Sequence, residues 1–257
     1  MEYEKLVVEK QDGFIVAALN HPPVNALGQG VLRDINDLLD KCIDDDEVKV
    51  IIFTGTGEKL FSAGADITEF ANMHAGGKPK IKGTDVFAKI EQYPKPIIAA
   101  LQGSAFGGGF ELALSCHLRV MANLAKLGLP EVKLGIIPGW GGTQRLPRLV
   151  GKTRALEMAL TGEPITSETA FEYGVVNKVV QQDEVISEAK KLAAKLAAGA
   201  PVAMAQILKA VNEGMETNLA QGIEIEAAGS AVVFASEDAK EGAMAFAQKR
   251  PPNFKGK

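Results

Sequence analysis

Residues Ile97 to Arg145 read IIAALQGSAFGGGFELALSCHLRVMANLAKLGLPEVKLGIIPGWGGTQR, and the rest of the chain is arranged around them. Ile97 to Leu101 is an apolar run without a polar break, which marks a buried strand, and it stops at Gly103. Gly107-Gly108-Gly109 follows, then an apolar helical stretch carrying Glu111. Three glycines let the backbone turn tightly and let a ligand reach the main chain. Their N–H groups lie where a helix begins, so they are free to donate to an anion. An oxyanion site can be built from such groups alone. A second glutamate, Glu131, stands twenty residues further on, behind Pro130 and again at a predicted helix start. Either carboxylate also suits the positive end of a helix. Apolar flanks (Phe110 and Leu112, Leu129 and Val132) would raise both pKa values and fit the pair for acid–base work.

Upstream, Leu6 to Glu9 and Phe14 to Asn20 are strand-like and joined by the hairpin signal Gln11-Asp12-Gly13. Val31, Leu32, Ile35, Leu38, Leu39, Cys42 and Ile43 recur at helical spacing. Val48 to Thr54 is a second buried strand, ending at Gly55-Thr56-Gly57, which has no third glycine and is no dinucleotide fingerprint. Phe61 to Asp66 leads into another helix, with Asp66 and Glu69 at capping-box spacing. Residues 72–84, with Gly76, Gly77, Lys78, Lys80 and Lys82, read as a surface loop, and a short helix is expected over Asp85 to Gln92. Strand, glycine turn and helix thus occur at 48–71 and again at 97–116, which predicts a spiral of repeated ββα units with helices packed outside.

Downstream of Gly151 strands become scarce. Lys152 to Leu160 is helical, Thr166 caps a short helix, and Val175 to Val180 is the last predicted strand. Helices are then expected over 183–198, 201–213, 218–235 and 237–249, the last capped by Ser236. Apolar residues on more than one side of these helices imply cover from neighbouring subunits as well as from the core.

With 257 residues the chain forms one large domain or a domain with an appendage, and 46% hydrophobic residues suffice for a sizeable core. A net charge of −4 argues against a general nucleic-acid or membrane-surface binder. No apolar run approaches the roughly 18–20 residues of a membrane span. The first ten residues, MEYEKLVVEK, contain no signal-peptide core. Cys42 and Cys116 form no motif, so reduced thiols and a cytoplasmic location are expected. Gly151-Lys152-Thr153 is not the end of a phosphate loop, because Leu146 stands where its first glycine belongs. His21, His74 and His117 lack metal-ligand spacing, so no metal is expected.

IAALQGSAFGGGFELA at 98–113, LGLPEVKLGIIPG at 127–139, GGTQRLPRLVG at 141–151 and FSAGADI at 61–67 together resemble the crotonase (enoyl-CoA hydratase/isomerase) family, over the whole chain and in order. The resemblance implies an α/β crotonase spiral over residues 1–182 and a C-terminal helical trimerisation region over 183–257, assembled as a homotrimer or homohexamer. It implies water addition across the 2,3 double bond of a trans-2-enoyl-CoA, as in fatty acid β-oxidation, with coenzyme A part of the substrate and no further cofactor. The oxyanion donors then map onto the N–H groups of Ala63 and Gly108, beside Gly107. Glu131 becomes the proton donor to C2, Glu111 the partner that activates water, and the N–H of Gly139, after Pro138, a further hold on that water. Ala63, Gly64, Ala65, Asp66 and Ile67 correspond to the adenine site, and Val24 and Ala26 to the carrier channel. Lys59, Lys249, Arg250 and Lys255 are candidates for the phosphates, Phe246 for the pocket, and Trp140 for a pocket wall. Three residues depart from the common pattern: Val24 where many relatives are basic, His117 where many carry Asp, and Trp140 where a small residue is common. Isomerisation of a 3-enoyl-CoA is the alternative chemistry. An RNA-binding role, resting on Lys78, Lys80, Lys82, Lys89 and Lys95, is a further one.

Overall fold

A hairpin opens the chain. β1 (Leu6–Gln11) pairs antiparallel with β2 (Phe14–Leu19) across Asp12-Gly13, where Gly13 takes the positive φ of 79° that such a tight turn needs. α1 (Gln29–Ile43) follows and buries Val31, Leu32, Ile35, Leu38, Leu39 and Cys42, the stripe at helical spacing. The structure, a computed structural model, describes residues 1–69 and 79–257. His74, Gly76, Gly77 and Lys78 of the predicted surface loop lie outside the described residues.

The chain then repeats one unit three times, once more than the sequence pattern predicts. β3 (Val50–Gly55) is followed by the short β4 (Leu60–Ser62) and later α2 (Gly83–Glu91). β5 (Ile97–Leu101) is followed by β6 (Ser104–Phe106) and α3 (Gly108–Ser115). β7 (Leu118–Ala122) is followed by β8 (Lys126–Gly128), a 3₁₀ turn at Pro130–Leu134, and α4 (Gly142–Val150). The longer strand of each unit joins one sheet and the shorter strand a second. β3, β5 and β7 lie parallel, with Ile51 opposite Ile97 and Ile98 opposite Leu118. β4, β6 and β8 are parallel neighbours as well. This is the ββα spiral, and it brings the three turns after β4, β6 and β8 to one end of the small sheet.

After α5 (Lys152–Thr161), the two-residue β9 (Ile165–Thr166) closes the small sheet on β8. Thr166 caps α6 (Ser167–Glu172), its side chain accepting from Thr169 N. β10 (Lys178–Val180) is shorter than the predicted 175–180. The N–H groups of Val175 and Val176 turn back to the carbonyl of Ala170, at 2.8 and 3.3 Å, and so cannot join a ladder. The described strands form a six-stranded sheet in the order β1-β2-β3-β5-β7-β10 and a four-stranded sheet in the order β4-β6-β8-β9.

α7 (Val185–Ala197), grouped by sequence with the C-terminal region, belongs instead with the large sheet. Val185, Ala189 and Ala193 fall on one helical face and are buried in the main core. The three helices that follow differ. α8 (Pro201–Met215) buries no side chain, α9 (Leu219–Ala235) buries only Gly229, and α10 (Glu237–Ala247) buries Asp238 and Ala245.

Candidate active site

The turn after β6 is where the site begins. Gly107 takes φ 52° and ends the strand; Gly108 opens α3, so its N–H has no carbonyl one turn behind it within the helix. The turn after β4 runs alongside. A Cβ added to Gly108 would lie 3.2 Å from Ala65 N, which places these two backbone N–H groups next to each other.

This pairing corrects the donor expected from sequence. The N–H of Ala63 donates to the carbonyl of Val24 at 2.9 Å and is already used. Gly64 between them takes φ 106°, so the backbone turns there and the N–H of Ala65 lies beside Gly108 instead. Leu27 N bonds to Gly64 O and Asp66 N to Leu27 O, and the Ala65 N–H between them is left pointing away from that bridge. Ser62 holds the turn: its hydroxyl donates to Asn25 O at 2.7 Å and accepts from Gly64 N at 3.2 Å. Ala65 and Gly108, rather than Ala63 and Gly108, therefore form the converging pair.

Glu111 is on the fourth residue of α3 and only 2% exposed. Its Oε1 accepts two backbone N–H groups, from Trp140 and Gly142, both at 2.8 Å. Burial raises its pKa, and the N–H groups of Gly142 and Trp140, together with Arg145, pull the other way. Glu131, on the 3₁₀ turn behind β8, is buried too, and its Oε2 has no hydrogen-bond partner. Its Oε1 rests against Gly107, 3.1 Å from where a Cβ would stand. Burial first, with the charge of Glu111 adding to it, pushes Glu131 up to about 7. Two carboxyls in one site are thus set apart: two backbone N–H groups suit the anion of Glu111, whereas Glu131 has an unpartnered Oε2 and is raised further by burial.

Trp140 forms a wall. A Cβ on Gly108 would stand 2.5 Å from its ring, so only glycine lets the indole and the backbone meet there. Phe87 of α2 meets the same ring edge to face, with centroids 5.6 Å apart. A cleft is lined in part by Leu27, Ala65, Asp66, Glu69, Gly139 and Trp140, and neither Glu111 nor Glu131 lines it.

The remaining candidates fall in several places. Pro138 packs on Gly142, and Gly139 lines the cleft. The carbonyl of Ala26 is taken by His21 Nδ1 at 2.7 Å and Gly28 N at 3.2 Å. Asp66 caps its own turn, accepting from Thr68 N at 3.0 Å and Thr68 Oγ1 at 2.6 Å, which lowers its pKa. Glu69 does not complete the predicted capping box. Its carboxylate instead accepts from Gln29 N, the first N–H of α1, at 3.0 and 3.1 Å, because tertiary packing brings a free helix end closer than its own turn. Ile67 and Lys59 are exposed. Phe246, 88% exposed on α10, and Lys249, just beyond it, do not border the cleft of the single chain. His117 occupies its own niche. Nδ1 accepts from Ile97 N at 2.9 Å, so Nε2 carries the proton toward Glu91 O at 3.1 Å, and burial lowers the ring's pKa to about 4. Arg145 and Glu91, which form a 2.8 Å ion pair beside Trp140, were not singled out from sequence: they are 54 residues apart, and no local pattern joins them.

The match to known proteins covers the same elements. The family model for enoyl-CoA hydratase/isomerase matches residues 9–257. The crotonyl-CoA hydratase of Syntrophomonas wolfei is 44% identical over 257 residues, covering 99% of both chains. The short-chain-enoyl-CoA hydratase of Clostridium acetobutylicum is 40% identical, covering 97% of both. The crystal structure of an enoyl-CoA hydratase from Bacillus anthracis superposes with a TM-score of 0.93 at 36% identity, covering 99% of this chain and 100% of that one. With its spiral of ββα units, its paired backbone donors and its two buried glutamates, the chain belongs to the enoyl-CoA hydratase/isomerase family.

Proposed function

We propose that this chain is an enoyl-CoA hydratase, a hydro-lyase acting on short 2-enoyl thioesters of coenzyme A. The observation that carries the reading is the unequal pair of carboxyls beside the paired N–H groups of Ala65 and Gly108. The thioester oxygen sits on those two N–H groups. Glu111, held as an anion by Trp140 N and Gly142 N, takes a proton from water as its oxygen attacks C3. Glu131 gives its proton to C2, and negative charge that builds on the thioester oxygen meets the two donors. Each such donor contributes roughly 3–4 kcal/mol in a transition state, and each acid–base group about 10²–10⁴-fold. Isomerisation needs one principal base, so two differently tuned carboxyls favour hydration. No cofactor beyond the coenzyme A of the substrate enters this scheme.

Trp140 sets the acyl length. Its ring stands against Gly108, beside the proposed oxyanion donors, so in this reading a long acyl chain would have to pass it. The name of the Syntrophomonas wolfei relative points the same way. Assembly into trimers or hexamers is supported by the uncovered apolar side chains from Pro201 onward, among them Ile207, Leu219, Ile223 and Phe234. Those helices form the assembly region in this reading, and Phe246 would reach a site only in such an assembly.

The test is a spectrophotometric assay with crotonyl-CoA, following loss of the conjugated thioester absorbance. Fast hydration by the wild type, falling above about pH 7 as Glu131 loses its proton, supports the reading. No hydration by folded protein, with turnover of a 3-enoyl-CoA, would replace it by isomerisation.

A further inference from the structure

Arg145 lies in the first turn of α4, three residues after Gly142, and its side chain is only 13% exposed. The guanidinium makes three directed bonds. Nε and Nη2 grip the Glu91 carboxylate at 3.1 and 2.8 Å, a two-point geometry that fixes the plane of the group. Nη1 donates to the carbonyl of Trp140 at 2.9 Å. The Trp140 carbonyl belongs to the peptide between Trp140 N and Gly142 N, the two groups that bind Glu111 Oε1. Gly141, between them, takes φ 110°, and a Cβ there would stand 2.0 Å from Nη1. Only glycine leaves space for the arginine.

Glu91 is itself held. It is the last residue of α2, the helix whose Phe87 meets the Trp140 ring. Its backbone carbonyl accepts from His117 Nε2, at 3.1 Å, and from Asn212 Nδ2 of α8. The ion pair therefore ties the Trp140–Gly142 turn to three other parts of the fold.

Resting on the hydratase reading, the geometry points to Arg145 as a positioning residue that acts through Glu111: anchored on Glu91, it orients the Trp140–Gly141 peptide so that two backbone N–H groups aim at one carboxylate oxygen. It touches no reacting atom. Without it the turn can rotate, and Glu111 loses donors that favour its anion. Misplacement of a reacting group by about 1 Å costs on the order of 10²-fold in rate. Arg145→Gln should therefore lower kcat about 10–100-fold with KM little changed. The acid limb of the pH profile should move to higher pH, because Arg145 and the two N–H groups all lower the pKa of Glu111. Glu91→Gln, which keeps the arginine but weakens its anchor, should shift both in the same direction by less.

The experiment is a double-mutant cycle with crotonyl-CoA over a range of pH. It uses wild type, Arg145→Gln, Glu91→Gln, Glu111→Gln and the Arg145→Gln/Glu111→Gln pair, with thermal unfolding recorded for each. If Arg145 works through Glu111, its loss adds little to the residual rate of Glu111→Gln. Fully additive losses, or an acid limb that does not move in Arg145→Gln or in Glu91→Gln, overturn the proposal. Should Arg145→Gln fail to fold, the Glu91→Gln pH profile decides alone. A wild type that does not hydrate crotonyl-CoA overturns the hydratase reading instead, so the two failures are separate.

Discussion

The Glu111–Glu131 site and the C-terminal helices α8 to α10 are opposite cases of what one chain can satisfy by itself. At the site, polar groups are buried and nearly every one has a partner inside the chain; the bare Oε2 of Glu131 is the exception, and in the proposed scheme it belongs to the group that carries the proton. In the C-terminal helices, apolar groups are exposed: Leu219 is 81% and Phe234 78% in contact with solvent. An unpaired buried polar atom costs about 1–3 kcal/mol, and it is kept where chemistry uses it. An uncovered apolar side chain forfeits a similar sum, and a second copy of the chain can recover it. In the proposed function the first kind of exception serves the reaction and the second serves assembly.

The largest effect expected is at the carboxyls. Glu111→Gln and Glu131→Gln should each lower kcat by about 10²–10⁴-fold while leaving the melting temperature unchanged or higher. A change of less than tenfold in either would mean that the polar exception is structural after all.

Next comes His117, a half-buried polar residue with no part in the proposed chemistry. Folding holds its pKa at about 4, below the unfolded value near 6.5. In that window the unfolded chain binds a proton that the native chain refuses, so stability is full above about pH 6.5 and falls as the pH drops toward 4. The loss amounts to about 3 kcal/mol. Denaturant titrations across this window should show that slope, and His117→Asn, which can still accept from Ile97 N, should flatten it.

The association side is tested by Leu219→Asp and Ile223→Asp. A buried apolar side chain contributes roughly 1.5–3 kcal/mol, so each change should weaken association about tenfold or more. Light scattering on diluted protein would read this, with circular dichroism showing that the helices persist. Unchanged mass would mean that these faces are covered by something other than a copy of the chain.

The smallest effect concerns Trp140. Trp140→Ala should raise the kcat/KM ratio of an eight-carbon over a four-carbon enoyl-CoA by about tenfold, the scale on which a hydrophobic pocket discriminates extra methylenes. An unmoved ratio would show that the acyl chain leaves by another path.

Much of this was legible in the chain itself. Apolar runs and their glycine stops specify β3 and β5; the 3.6-residue stripe specifies α1; Thr166 and Ser236 cap helices as their short polar side chains predict. These features depend on residues within a turn or two of each other, and local sterics settle them. Glu111 and Glu131 could be chosen as candidates because a carboxylate in an apolar run is costly without a use. What tertiary structure alone decided is who partners whom. Ala63 and Ala65 are equivalent as residue types, and only the carbonyl of Val24, brought from another segment, uses up one N–H and leaves the other for Gly108. Glu69 has the spacing of a capping box and serves a different helix. Arg145 finds Glu91 across 54 residues. Backbone donors carry no side-chain label, and long-range pairs carry no period, so their assignment rests on the packing of the spiral.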